Sequence, residues 1–200
     1  MATALVWLRR DLRLSDNPAL AQAIADGYTP LLVYIHAPFE DQPWTAGAAS
    51  SAWLHYSLQR LAQSVAQLGG KLHIASGDSL SALSAYRLQC GAQALYFNTL
   101  YEPVSQARDA KVRQAFEQSG VTVRQFNSML LIEPWQVLTK AGTPYKVFTP
   151  FWRNVFSQLQ LRAEYPSPKS LAAFPGIPGL DIESLELLPS RQWHLEFWQH

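Results

Sequence analysis

Residues 4–20 read ALVWLRRDLRLSDNPAL, and this stretch sets the pattern for the first two thirds of the chain. Its first five residues are apolar without interruption, which is typical of a strand buried on both faces of a sheet. Asp16, Asn17 and Pro18 then join capping side chains to a proline, a combination that favours the first turn of a helix. The stretch therefore predicts one strand–helix unit of an α/β fold.

The alternation of apolar runs and helix patterns continues beyond this first unit. Four more apolar runs predict strands, at residues 30–36, 71–75, 94–98 and 121–126. The segments between them predict helices over residues 16–26, 50–68, 79–89 and 103–120. Apolar strands that alternate with helices indicate a parallel sheet covered on both faces, and right-handed crossovers make such a sheet doubly wound. We therefore predict a Rossmann-like, five-stranded parallel sheet with strand order 3-2-1-4-5 and helices on both faces, followed by an extended linker.

Two predicted helices carry apolar side chains that are expected to pack against the rest of the chain. The helix over residues 50–68 has an apolar stripe formed by Trp53, Leu54, Leu58, Leu61 and Val65. A later helix, which begins near Thr149 and Pro150, carries the apolar residues Phe151, Trp152, Val155, Phe156 and Leu159. Packing is the expected role of both sets.

Three regions are predicted along the chain. Residues 1–130 form the α/β domain, and residues 131–164 form a helical extension of it. Residues 165–200 form a linker, because the prolines at positions 166, 168, 175, 178 and 189 prevent long regular structure there.

Composition and charge exclude several classes of protein. The 200 residues are 48% hydrophobic and 16% charged, a normal globular balance, and the formal net charge of +1 shows no basic excess for a nucleic-acid partner. Charged or polar residues interrupt every apolar stretch, so no membrane span is expected. A single cysteine, Cys90, excludes an internal disulfide and favours a cytoplasmic location. No glycine-rich phosphate loop, nucleophile motif or histidine pair with metal-ligand spacing is present, so no catalytic or metal-binding residue is predicted.

Polar residues follow the first and fourth predicted strands. Arg9 and Asp11 follow the first strand, and Asn98 and Glu102 follow the fourth. Ligands of doubly wound sheets bind at the carboxyl ends of the strands, near the point where the strand order reverses. These side chains are therefore interpreted either as the polar rim of a ligand site or as a structural network. The structural alternative, in which Arg9, Asp11, Arg13 and Asp16 lock the loop, is favoured.

Three segments, taken in order, resemble the photolyase/cryptochrome family. They are VWLRRDLRLSDNPAL at 6–20, YEP followed by ARD at 101–109, and GTPYKVFTPFWR at 142–153. The resemblance covers about residues 4–160. It implies an N-terminal α/β domain and a wrapping linker that leads to a C-terminal all-helical domain, which binds FAD and receives a base flipped out of damaged DNA.

The resemblance also implies which functions belong to this chain and which belong to its partners. No segment here matches the helical domain, so that domain of the same parent chain is the expected partner, and damaged DNA is expected to bind through it alone. The parent is expected to repair pyrimidine dimers in DNA with light and FAD, while residues 1–200 alone are expected to be inactive. A blue-light photoreceptor cryptochrome, a free-standing nucleotide- or flavin-binding protein and a scaffold without ligand stay open as alternatives. The oligomeric state also stays open.

The resemblance implies that this domain holds an antenna chromophore: methenyltetrahydrofolate, a deazaflavin or FMN. The expected contacts lie at the carboxyl ends of the strands and in the loop after the second strand. They are Arg9, Asp11, Tyr34, Ile35, His36, Ser50, Trp53, Asn98, Leu100 and Glu102. The sequence departs from the family's charged contacts at Leu100, at Val104-Ser105 and at Ser50-Ser51. A different chromophore, or none, is therefore the alternative.

Overall fold

Five parallel strands form the central sheet of the computed structural model, which describes residues 2–191 and 193. The strands are β1 (Thr3–Leu8), β2 (Thr29–His36), β3 (Leu72–Ser76), β4 (Ala94–Asn98) and β5 (Thr122–Phe126). Their order is β3-β2-β1-β4-β5, and every neighbouring pair is parallel. The predicted fold class and strand order are confirmed.

Helices cover both faces of the sheet. On one face lie α1 (Pro18–Ala25) and α2 (Ala48–Gln67), and on the other lie α3 (Ser79–Cys90) and α4 (Pro103–Gln118). A fifth helix, α5 (Phe148–Gln158), follows the last strand. Alternate residues of β1 point to opposite faces, as the period of a strand requires. Val6 and Leu8 pack in one core with Leu58 of α2, while Leu5 and Trp7 pack in a second core with residues of α3 and α4.

Side chains at the helix ends explain where α1 and α3 begin. The side chain of Asn17 accepts a hydrogen bond from the backbone N–H of Leu20 at 3.3 Å, and Pro18 occupies the first turn of α1. Asp78 caps α3 in the same way, through the N–H of Ser81 at 2.8 Å. These are the start signals that the sequence shows.

The predicted apolar stripe of α2 is wrong at one position. Leu58, Leu61 and Val65 are buried and Leu54 is partly buried, but the side chain of Trp53 is 68% exposed. At 100° per residue, position 53 lies about 140° around the helix from position 58. Trp53 therefore stands at the edge of α2, where it lines a cleft described below.

In the described part of the chain, the prediction that the aromatic residues of α5 pack is wrong for Trp152 and Phe156, whereas Phe151 is partly buried and contacts Tyr145. Phe148 and Phe156 are each 70% exposed and Trp152 is 40% exposed, whereas Val155 is buried. The three aromatic residues are spaced four apart, so they share one face of the helix. The rings of Phe148 and Trp152 stack, with their centroids 6.3 Å apart. We call this surface the α5 aromatic face.

The segment after α5 returns along the sheet and packs on it. The N–H groups of Leu171 and Leu180 donate to the carbonyls of Leu68 and Ile74, each at 2.8 Å. A Cβ at Gly70 would lie 2.8 Å from the Cβ of Leu171, so only glycine fits there without a shift. The predicted boundaries at residues 130 and 164 stay predictions, and positions 192 and 194–200 of the predicted linker lie outside the described residues.

The buried His73 is expected to make the stability of the protein depend on pH. Its side chain is fully buried between Tyr86 of α3 and Phe174 of the returning segment. The centroid of its ring lies 5.9 Å from that of Tyr86 and 6.5 Å from that of Phe174. The charged group that affects its pKa is Lys71. Burial lowers the pKa of the His73 imidazole below its ordinary value. The unfolded chain therefore binds this proton more tightly, and stability is lost as the pH falls below about 6.5.

We expect the replacement His73→Gln to make the free energy of unfolding less dependent on pH. Urea unfolding followed between about pH 8 and about pH 5.5 measures that dependence. His36, whose pKa burial also lowers, stays in both proteins and leaves a residual slope. Equal slopes in the two proteins would contradict the assignment to His73.

Candidate functional site

A cleft of about 650 Å³ opens at the carboxyl ends of β1 and β2. The end of β2 contributes one wall, the start of α2 another, and the turns after β1 and β4 complete it. This is the edge where a doubly wound sheet leaves room between loops because its strand order reverses. The volume lies within the range of small-molecule pockets.

Seven of the ten predicted contact residues line this cleft. They are Arg9, Tyr34, Ile35, His36, Ser50, Trp53 and Leu100. The other three lie elsewhere: Asp11 and Asn98 are buried beneath the cleft, and Glu102 pairs with Arg10. Their predicted contact with a ligand, like that of the seven, stays a prediction.

Arg9 is the centre of a buried network beneath the cleft. Its Nη1 donates to Oδ1 of Asp109 in α4 at 2.8 Å, and its Nη2 donates to the carbonyl of Asn98. The guanidinium carbon lies 4.2 Å from the ring centroid of Trp7 and 4.8 Å from that of Phe97. Burial lowers the pKa of Arg9, and the charge of Asp109 opposes that shift. Arg9 thus joins the end of β1 to β4 and α4 as a cation.

Asn98 ties the end of β4 to the loop after β1. Its Nδ2 donates to Oδ2 of Asp11 at 2.5 Å and to Oδ1 of Asn17 at 2.8 Å, and its Oδ1 accepts from the N–H of Ala19 at 3.1 Å. Asp11 also accepts from the N–H of Arg9 at 2.7 Å. All the hydrogen-bonding capacity of the buried amide N–H₂ is therefore used within the protein.

The loop after β1 is fixed by a further set of hydrogen bonds. The N–H of Arg13 donates to the carbonyl of Asp11 at 2.7 Å, and the Arg13 guanidinium donates to the carbonyl of Asp16 at 3.0 and 3.1 Å. Asp16 itself has a φ of +47°, a backbone conformation that residues other than glycine rarely adopt. The structural network proposed for Arg9, Asp11, Arg13 and Asp16 is present.

The polar groups on the β2 wall of the cleft are neutral at neutral pH. Burial raises the pKa of the Tyr34 phenol, and the charge of Asp41 raises it further. Burial lowers the pKa of the His36 imidazole, against the charge of Asp41. This wall can therefore offer hydrogen bonds from an uncharged phenol and an uncharged imidazole beside the apolar Ile35.

Arg108 also lines the cleft, although it was not among the predicted contacts. Its guanidinium lies 3.8 Å from Glu40, 3.7 Å from Asp41 and 3.1 Å from Asp109. Ser57 also lines the cleft and was not predicted. It lies seven residues after Ser50 on the same side of α2, so the helical period was a signal that could have identified it. No pattern marks Asp41, which ends the short turn Pro38–Asp41.

Within residues 2–191 and 193, no group of three histidine, cysteine, aspartate or glutamate residues could hold a metal ion. Among the helices of the described residues, none is long and apolar enough to cross a membrane.

The fold and the cleft together define the class of protein. A doubly wound parallel sheet with a cleft at its carboxyl edge is the arrangement in which α/β domains commonly bind small molecules. The model of the DNA photolyase family matches residues 4–170. The chain belongs to the DNA photolyase family.

Individual relatives agree with this assignment. The chain is 38% identical over 198 residues to a deoxyribodipyrimidine photo-lyase of Agrobacterium fabrum, covering 98% of this chain and 41% of that protein. It is 39% identical over 155 residues to Cryptochrome-1 of Arabidopsis thaliana, covering 77% of this chain and 23% of that protein. Cryptochromes are thus a related branch.

The fold also matches a solved structure. The crystal structure of a bacterial class III photolyase from Agrobacterium tumefaciens superposes with a TM-score of 0.87 at 38% identity, covering 96% of this chain and 39% of that one. The chain therefore spans about two fifths of the length of the photolyases that it matches.

Proposed function

We propose that this chain is the antenna domain of a DNA photolyase, which holds a light-absorbing chromophore in the cleft at the carboxyl ends of β1 and β2. The observation that carries the proposal is the cleft itself, which is lined by the neutral side chains of Tyr34 and His36 and by the tryptophans Trp44 and Trp53. A planar ring gains most from aromatic walls with a few fixed hydrogen-bonding groups.

The residues of the cleft fit a methenyltetrahydrofolate, a deazaflavin or FMN. The indole of Trp53 offers a face to a ring, Leu100 offers an apolar contact, and the Ser50 hydroxyl offers a hydrogen bond. When bound, such a chromophore supplies absorption of near-ultraviolet or blue light and passes the excitation to FAD. The work of this chain is to orient the ring and exclude water from it, and no residue here is assigned to a bond-making step.

The photolyase relatives support a whole-protein activity in which pyrimidine dimers in DNA are split with light and FAD. The FAD and the damaged DNA belong, in this proposal, to a C-terminal helical domain, so residues 1–200 alone are expected to show no light-driven repair. The identity of 39% to Cryptochrome-1 supports a photoreceptor as the second candidate. A cytoplasmic location is also a proposal, supported by the single Cys90.

The experiment that tests the antenna proposal is an absorption spectrum of the purified chain, with mass spectrometry of any compound released on denaturation. We expect a pterin, deazaflavin or flavin, retained from the host or after reconstitution. A protein that shows only tryptophan and tyrosine absorption, and takes up none of the three on reconstitution, would refute the proposal.

A matched pair of variants tests whether the chromophore occupies the cleft. Ser50 and Ala49 are both exposed in the first turn of α2, but only Ser50 lines the cleft. We expect Ser50→Trp to weaken chromophore binding at least about tenfold, because the indole fills space that the ring needs. Ala49→Trp is the control and should leave the affinity unchanged. Equal affinities in the two variants, measured by fluorescence titration, would place the ligand elsewhere.

We further propose that the helical domain packs on the α5 aromatic face. Three exposed aromatic side chains on one short helix are an unusual surface for a protein without a partner there. We expect the C-terminal helical part of the Agrobacterium relative, mixed with this chain, to bind it, and Phe156→Ser to weaken that complex. Phe39→Ser, which removes another exposed phenylalanine outside α5, is the control. Sedimentation velocity separates this complex from self-association of the chain, which would contradict the proposal.

A further inference from the structure

A second groove, of about 880 Å³, continues the cleft along the outer side of α2. Leu12, Arg13, Trp53 and Ser57 line both the groove and the cleft, so the two form one continuous surface. A ligand whose ring lies in the cleft would therefore extend any flexible tail past Trp53 into this groove.

Among the described residues, the groove is lined by two arginines, Arg13 and Arg60, and by no carboxylate. The Arg13 guanidinium donates only to the carbonyls of Asp16 and Ser128, among the described hydrogen bonds. The nearby Asp16 carboxylate is engaged instead by Arg162, at 2.5 Å.

The second arginine is placed differently. Arg60 stands exposed on α2, seven residues after Trp53 and therefore two turns further along the same side of the helix. Within the described ranges, its guanidinium takes part in no ion pair. Arg13 is thus held in place by carbonyl oxygens and Arg60 is exposed to solvent, and both can form charge-assisted hydrogen bonds with an anion.

We propose that the ligand of the cleft carries an anionic tail, either a phosphate or carboxylates, which binds in the groove between Arg13 and Arg60. This inference rests on the proposed antenna function and restricts it to anionic chromophores. A neutral ribityl tail gains less from two arginines than an anionic tail does, because only the anionic tail forms charge-assisted hydrogen bonds in which both partners are ionised.

Pairs of ligands that differ only in the tail test the inference. FMN and riboflavin differ by one phosphate, and a reduced folate can be compared with its triglutamate form. We expect the more anionic member of at least one pair to bind about three- to tenfold more tightly at low salt, with the difference shrinking at high salt. A preference within the flavin pair identifies the tail as a phosphate, and one within the folate pair identifies carboxylates.

Two variants locate the effect at the groove. Arg60→Gln should remove most of the preference, because it weakens binding of the more anionic member more than binding of the less anionic one. Arg153→Gln removes the same charge from an exposed position on α5, outside the groove and the cleft, and should change nothing. If the rings bind but tail charge has no effect, or if Arg60→Gln and Arg153→Gln behave alike, the inference is overturned and the antenna proposal stands. If neither ring binds, both are overturned.

Discussion

Replacing Arg9 with alanine is expected to lower the free energy of unfolding by about 3–5 kcal/mol. The loss has two physical sources. Among the described residues, the buried Asp109 carboxylate keeps Arg108 alone as a cationic partner, and the space over the rings of Trp7 and Phe97 is left empty. Urea unfolding followed by circular dichroism measures the change.

The neighbouring arginine provides the control for this prediction. Arg10 also forms an ion pair, with Glu102, but the side chains are 50% and 46% exposed, against 6% and 4% for Arg9 and Asp109. Because water screens the exposed pair, Arg10→Ala should cost no more than about 1 kcal/mol. Similar losses for Arg9→Ala and Arg10→Ala would contradict the central role given to the buried pair.

A double variant separates the ion pair from the packing. Arg9→Met with Asp109→Leu removes both buried charges together, so neither is left without its partner. Its loss is expected to be clearly smaller than the sum of the losses from Arg9→Met and Asp109→Leu alone. Additive losses would mean that the two side chains contribute independently.

The sheet could be predicted because the signals that determine it are local. A run such as ALVWL is apolar at every position only when both faces of the strand are covered, and the alternation with helices leaves few ways to connect parallel strands. The location of the cleft follows from the same rule, since the strand order fixes where the sheet edge opens. Seven of the ten predicted contacts line the cleft for this reason.

The remaining features depend on contacts between distant parts of the chain. Arg9 and Asp109 are 100 residues apart, and nothing near either residue marks the other as its partner. Trp53 is apolar and close to the stripe of α2, but only the rotation of the helix on the sheet decides that it faces the cleft. The α5 aromatic face has the spacing of a packed helix, and a sequence pattern cannot tell which surface covers such a face.

The buried network and the cleft share residues, and this links stability to binding. Arg9 contacts Asp109 on one side and lines the cleft on the other, and Asn98 holds the loop from which Arg13 reaches into the cleft and the groove. Under the proposed antenna function, transfer of excitation depends on a fixed distance and orientation between two chromophores, which requires a rigid wall around the cleft. We infer that the network supplies that rigidity.

Replacing Asn98 with leucine is expected to destabilise the protein by about 3–5 kcal/mol. Leucine has the same branched skeleton but is larger, so the cost comes from overpacking and from buried polar groups that each lose a hydrogen-bond partner. These are the Asp11 carboxylate, the Asn17 side-chain oxygen and the N–H of Ala19. Asn127, which directly follows β5, is the control. It accepts from the N–H groups of Met129 and Leu130 in a solvent-exposed turn, so Asn127→Leu should cost no more than about 1 kcal/mol.

The replacement Asn98→Asp tests the same contact through its pH dependence. It would set a second carboxylate against Asp11, where the amide nitrogen of Asn98 now lies 2.5 Å from Oδ2. Repulsion raises the folded-state pKa of one carboxyl above its unfolded value of about 3.9, so the folded protein binds that proton more tightly. The destabilisation relative to the wild type is therefore greatest near neutral pH and is relieved as the pH falls through the raised pKa. Unfolding free energies of both proteins, measured from about pH 7 to about pH 4.5, should converge; a constant difference would mean that Asp11 does not face position 98.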